Sequence, residues 1–270
     1  MKVGFKKGIE LDIDVIVKMD SDAQMDPYYL PALLHPIVIG ECDFTKGNRF
    51  HDMQELLSMP RTRKIGSIAL TFLNKVTSGY WHVFDPQNGY IALKTQYLKL
   101  IQIDDLSDNY FFENSLLCLM NSVEAKVSDV FIPAIYDGEP SSLKISKIIM
   151  KFPPLLFKFF CKRIYLRYIY NDISPVSIMG IIGLLFLSFG GVFGIKIWIA
   201  TLISRIPTPL GTVIIALLPI LIGFNLMLNA VNLDIVNSPK GASKGYRYTR
   251  REIETLLRLA DNEDVLKQKV

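Results

Sequence analysis

Asp20 and Asp22 stand two apart at the end of an apolar, β-branched run, Asp14-Val15-Ile16-Val17-Lys18-Met19, and Asp26-Pro27 follows closely. Residues two apart in an extended chain face the same side. Two carboxylates held that close repel unless something positive sits between them. A hard cation, Mg²⁺ or Mn²⁺, itself bound to diphosphate oxygens, answers that need. The same spacing also fits acidic residues that only punctuate a strand end, because D-x-D is short and common.

The elements needed to position such a pair can be read around it. The run before Asp20 reads as a buried strand of a mostly parallel sheet, covered on both faces. Ligands gather beyond the carboxyl ends of strands in such sheets. Met1 to Leu11 reads as a short helix, and Asp26-Pro27 as the cap and first turn of the next one, to His35. Pro36 to Cys42 reads as a second strand, followed by a polar loop from Asp43 to Phe50. Helical spacing recurs over Ile65–Val76, and helices are expected at 91–101 and 110–121. Lys126 to Ile135 reads as a strand. The Asp-Pro and Asn-Gly pairs of Asp85-Pro86-Gln87-Asn88-Gly89-Tyr90 mark turns.

Half the 270 residues are hydrophobic and the mean hydropathy is +0.28, too apolar for an ordinary soluble domain. Residues 1–150 carry 15 Lys and Arg against 19 Asp and Glu, whereas residues 151–270 carry 15 against 7. A second part both basic and apolar favours an anionic membrane surface over nucleic acid. Residues 148–170 mix aromatic and aliphatic side chains with Lys151, Lys158, Lys162, Arg163 and Arg167, as an interfacial amphipathic helix does. Two uncharged runs of spanning length follow, about 177–203 (interrupted by Lys196) and 210–233, joined through Pro207-Thr208-Pro209. Cations flank the pair and the connection holds only Arg205, so both termini are expected in the cytoplasm. The amino terminus lacks a signal-peptide pattern. Cys42, Cys118 and Cys161 form no disulfide or zinc pattern, and His35, His51 and His82 are isolated.

Several of these segments together resemble one family. The stretch from Asp14 to Pro27 is similar to the acidic metal motif of family 2 glycosyltransferases, nearest the polyprenyl-phosphate sugar synthases of the dolichol-phosphate mannosyltransferase group. The resemblance continues through Asp43–Phe50 and Asp85–Tyr90, and into the hairpin at Ser188–Gly194 and Pro209–Val213. It implies an α/β, Rossmann-like GT-A catalytic domain over 1–145. An interfacial helix (146–174), a transmembrane hairpin (175–235) and a cytoplasmic tail (236–270) would follow. It implies an inverting transfer of a sugar from a nucleoside diphosphate sugar to a polyprenyl phosphate, undecaprenyl or dolichyl, at a membrane, with a bacterial inner membrane the expected location. In that scheme Asp20 and Asp22 hold Mg²⁺ or Mn²⁺ and, with Gln24, the nucleotide sugar. Arg49, Arg61 and Arg63 clamp the acceptor phosphate, since guanidinium matches phosphate oxygens bidentately. Asp85 orients groups around the sugar or acts as base. For each, a turn or surface residue is the plainer alternative.

One departure stands out. The family's first strand–helix–strand portion, which floors the nucleotide pocket, has no counterpart, so the GT-A domain reads as incomplete. A shortened sequence, a separate polypeptide supplying that portion, and an inactive form with a homo-oligomeric or scaffold role all remain open. A glycosyltransferase using another lipid-linked acceptor is a further alternative.

Overall fold

The computed structural model describes residues 1–20, 25–49, 61–108, 111–133 and 145–267. They divide into two units, Met1–Arg163 with Ser238–Val270, and Ile164–Asn237.

The first unit is built on five strands, β1 (Val15–Lys18), β2 (Phe44–Asn48), β3 (Ile91–Lys94), β4 (Val127–Phe131) and β5 (Lys240–Tyr246). They hydrogen-bond in the order β1-β3-β2-β4-β5. β3 runs antiparallel to β1 and to β2, while β4 is parallel to both β2 and β5. The sheet is therefore mixed, not mostly parallel as expected. β1 lies at its end, and Val15, Ile16 and Val17 are only partly buried.

Helices cover both faces. On one, Ala32, Leu33 and Ile37 of α2 (Leu30–Val38) and Ile253 of the carboxyl-terminal helix pack with Tyr90, Ala92, Val130 and Ile132. On the other, α1 (Lys2–Glu10) sets Gly8 against Ile16, and Phe5 meets Phe112 with ring centroids 5.8 Å apart. That layer continues through α3 (Arg61–Ser78), the short α4 (Thr95–Leu98), α5 (Phe112–Ser122) and α6 (Ile145–Tyr165). Phe111, Cys118, Phe152, Leu156 and Phe159 form its apolar centre.

Four local expectations change. Pro36 to Ile39 closes α2 instead of forming a strand. Leu30, Leu33, Leu34 and Ile37 recur at helical spacing, and burial of that face overrides the β preference of Ile37-Val38-Ile39. Asp26 does act as a cap, its Oδ1 accepting the Tyr28 amide at 2.9 Å, but of a 3₁₀ turn (Pro27–Tyr29) that leads into α2. The polar stretch expected to be a loop is the central strand β2, fully buried because its polar groups are satisfied: Thr45 Oγ1 donates to the Leu33 carbonyl at 2.7 Å, and Lys46 to the Asn88 carbonyl. The helix expected at 91–101 begins as β3. His35 and His82 are structural, bonded to the Tyr248 hydroxyl (2.8 Å) and the Val127 carbonyl (2.9 Å); His51 lies outside the described residues.

The basic side chains of α6 are partly spent on the protein itself. Arg163 is fully buried and donates to the carbonyls of Thr77 (2.9 Å) and Val76 (3.1 Å) at the end of α3, and Lys162 pairs with Asp105 at 2.5 Å. After the second unit the chain re-enters the first as β5 and α9 (Arg250–Lys267), placing Tyr246, Tyr248 and Ile253 against its core.

The second unit holds α7 (Pro175–Ser204) and α8 (Leu210–Val236), each with mean hydropathy 2.3 in its most apolar window and little of that window buried. Both are long and apolar enough to cross a membrane, and their exposure is unlike that of a core helix. They approach closely where side chains are smallest: a Cβ on Gly183 would meet the Gly223 carbonyl oxygen at 3.0 Å.

Candidate functional site

Polar residues collect at one end of the sheet. Lys18 and Lys46 both stand opposite Ile91, and Lys46 also stands opposite Asp129. The carboxyl ends of β1, β2 and β4 therefore meet the amino end of β3, with Lys18, Lys46 and Asp129 on one face. The turn before β3, from Asp85 to Tyr90, lies along that edge.

Asp85 is 2% exposed, and its carboxylate is gripped by Arg49, which follows β2 directly. Arg49 Nε donates to Oδ2 at 2.8 Å and Nη2 to Oδ1 at 3.3 Å, a forked pairing that fixes the carboxylate plane. Asp20 stands at the other end of the turn. Its Oδ1 is 2.8 Å from Lys18 Nζ, and Lys18 also reaches Glu113 Oε1 of α5 at 2.8 Å. Burial opposes the Lys18 charge, but the bonds to Asp20 and Glu113 outweigh it and hold its pKa above the usual lysine value. Asp20 Oδ2 and Lys18 Nζ both face Gly89, where a Cβ would overlap them unless they shifted.

Two charged groups lie deeper. Lys46 is fully buried, which pushes its pKa down to about 8, although Asp85, Glu113 and Asp129 act to keep it protonated. Asp129 is 1% exposed; burial, with the Asp85 charge adding to it, raises its carboxyl to about 7. Its Oδ2 accepts the Phe84 amide and Asn48 Nδ2, both at 2.9 Å.

Of the residues singled out in the sequence, Arg49 and Asp85 are thus brought into contact, and Asp20 is joined to the same edge through Gly89. Asp22 and Gln24 lie outside the described residues. Arg61 and Arg63 begin α3, and their side chains lie outside the described residues as well. Lys18, Lys46, Glu113 and Asp129 were not singled out. A charged residue inside a strand-forming run, as in Val15–Lys18 and Val127–Phe131, is the signal that could have found two of them.

Among the described residues, no three His, Cys, Asp or Glu side chains converge as a metal-ligand set. The donor chemistry at Asp20, a carboxylate oxygen, nevertheless suits a hard divalent cation, with the Lys18 ammonium beside it in the space that Gly89 leaves. Lys18 already supplies one positive charge there, so a cation would share Asp20 with it.

No protein-family model matches the chain. It is similar to a UDP-N-acetylglucosamine–dolichyl-phosphate N-acetylglucosaminyltransferase of Methanococcus voltae, 29% identical over 133 residues, or 49% of this chain and 53% of that protein. It is similar also to an uncharacterized protein of Methanocaldococcus jannaschii, 29% identical over 162 residues (60% of this chain, 65% of that one). An undecaprenyl-phosphate mannosyltransferase of Micrococcus luteus is 31% identical over 111 residues, 41% of this chain and 44% of its own. The chain thus spans about half the length of the curated relatives it matches. Two of the three are named as transferases of a sugar to a polyprenyl phosphate.

Proposed function

We propose that the chain is a membrane-bound, inverting glycosyltransferase of the polyprenyl-phosphate sugar synthase kind, with a GT-A-like domain. Its substrates would be a nucleoside diphosphate sugar and a polyprenyl phosphate. The observation that carries the reading is the forked Arg49–Asp85 pair, set on the same strand-end edge as Asp20. The names of the similar proteins and the two spanning-length helices support it.

In this reaction an oxygen of the acceptor phosphate forms a bond to the anomeric carbon. The bond from that carbon to the diphosphate breaks, and the nucleoside diphosphate leaves with the electron pair. The acceptor is already anionic, so positioning matters more than a strong base. Arg49 holds the Asp85 carboxylate and presents cationic charge where the acceptor phosphate must be received. Asp85 orients the acceptor and takes the proton of a monoprotonated phosphate. Arg61 and Arg63 are assigned to the same phosphate, and Gln24 to the diphosphate. Mg²⁺ or Mn²⁺, held by Asp20 with Asp22, would supply charge neutralisation for the leaving diphosphate. Lys18 holds Asp20 in place and adds positive charge of its own.

The test uses membranes containing the full chain, polyprenyl phosphate, Mn²⁺ and a panel of labelled nucleoside diphosphate sugars. Label should pass into the lipid extract, and Asp85→Asn should remove it. Absence of lipid-linked label with every donor, while the protein is folded, would refute the assignment.

A further inference from the structure

Residues 80–84 have no regular secondary structure, yet they lead directly into Asp85. Alternate residues of this segment are bonded to alternate residues at β4. The Tyr80 hydroxyl donates to the Ala125 carbonyl at 2.6 Å, His82 Nε2 lies 2.9 Å from the Val127 carbonyl, and the Phe84 amide donates to Asp129 Oδ2 at 2.9 Å. The first two use backbone carbonyls, of Ala125 just before β4 and of Val127 in it, which any residue at those positions would provide. The third uses a side chain, and it is the last bond before Asp85.

The same oxygen of Asp129 accepts Asn48 Nδ2, and Asn48 precedes Arg49. One carboxylate oxygen therefore clips the residue before Asp85 to the residue before Arg49. Asp129 sits on β4, flanked by β2 and β5, so the clip is anchored to the interior of the sheet. Its other oxygen, Oδ1, is buried without a hydrogen-bond partner among the described residues. An acid that is 1% exposed and half unsatisfied is a poor choice for stability alone.

We propose that Asp129 is a positioning residue, which sets Asp85 and Arg49 in register with each other by holding the Phe84 amide and the Asn48 side chain on one oxygen. It rests on the roles given above to Asp85 and Arg49, and it touches no substrate itself. Asp129→Ala removes both arms of the clip. Asp129→Asn, with its amide oxygen in the place of Oδ2, keeps an acceptor for both the Phe84 amide and Asn48 Nδ2. Asn48→Ala removes the Arg49 arm alone.

The experiment measures how fast phenylglyoxal labels Arg49 in the purified full chain, read by mass spectrometry, with Arg247 as internal standard and Asp85→Asn as the reference for an Arg49 that has lost its carboxylate. Asp129→Ala should label Arg49 several-fold faster than wild type, close to the reference rate, and Asp129→Asn should largely restore protection. In the transfer assay, Asp129→Ala should lower kcat with little change in KM for the donor. Wild-type protection of Arg49 in folded Asp129→Ala would overturn the proposal. Should that variant not fold, wild-type protection in Asn48→Ala would overturn it equally. Labelling does not need turnover: if no donor supports transfer, the activity assignment fails and Arg49 protection still decides the role of Asp129.

Discussion

Asp85 and Arg49 differ in what each loses when the other is removed. Asp85 is 2% exposed, whereas the Arg49 side chain is 36% exposed and can turn to water. Arg49→Met should therefore strand a buried carboxylate and destabilise the protein by on the order of 3 kcal/mol. Asp85→Asn removes the charge together with the need for a counter-ion, and should change the melting temperature far less. Its cost should fall on transfer instead, about 100-fold or more in kcat, the usual range for a positioned acid–base group. Equal melting losses in the two variants would contradict this asymmetry. The deeper pair makes a pH prediction. Asp129 has its folded pKa raised to about 7, above the ordinary carboxylate value of about 3.9. The folded state thus holds more protons than the unfolded state between those values, and stability falls as pH rises through that window. Lys46 is lowered to about 8, so above pH 8 the unfolded state holds more protons and its contribution runs the opposite way. Thermal unfolding of Asp129→Asn should show a weaker decline from pH 5 to 7 than wild type. Identical slopes would mean that Asp129 does not titrate in this range.

At the scale of elements, the glycines at two junctions carry separate consequences. Gly79 ends α3 at φ +73°, and a Cβ there would strike the Arg163 guanidinium, whose Cζ would be 2.9 Å away. Gly79→Ala should combine left-handed strain with loss of the Arg163 bonds to the end of α3. The expected cost is about 2 kcal/mol, visible as a lowered melting temperature. Gly89→Ala should leave the fold intact and displace Asp20; manganese titration followed by electron paramagnetic resonance should show weaker binding than wild type. Unchanged manganese affinity would remove Asp20 from the proposed cation site. These junctions also show what sequence patterns can reveal. The length and apolar character of α7 and α8 are legible, because they follow directly from two long runs of apolar residues. The strand β2 is not legible, because Thr45, Lys46 and Asn48 are buried through bonds to distant partners that no local pattern shows. β5, Lys-Gly-Ala-Ser-Lys-Gly-Tyr, hides for another reason: Gly241 fits where a Cβ would crowd Ser128 Oγ and Cys42, so small residues replace the expected apolar ones. Asp85 and Arg49 were separately legible as chemistry. Their contact was not, because it depends on β2 being a strand and on the course of residues 80–84.

At the scale of the whole molecule, the chain leaves its sheet domain, forms α7 and α8, and returns to complete the sheet. That order makes β5 and α9 part of the first unit even though they follow the hydrophobic helices. β5 pairs with β4, and the α9 side chain Ile253, 1% exposed, lies in the same cluster as Leu33, Val130 and Ile132. Burial of a side chain such as Ile253 contributes about 2 kcal/mol, and Tyr246, Tyr248 and Leu257 pack against that cluster too. Their combined loss is large beside the 5–15 kcal/mol that stabilises a typical domain. A chain stopped after Asn237 keeps α7 and α8 and should remain in the membrane fraction through a carbonate wash, as the full chain should. Its sheet domain should nevertheless become sensitive to trypsin under conditions where the full chain resists, since β4 would expose an unpaired edge and α2 an uncovered apolar face. If the shortened chain resisted trypsin as well as the full one, β5 and α9 would be an appendage, and the core drawn around Ile253 would be wrong.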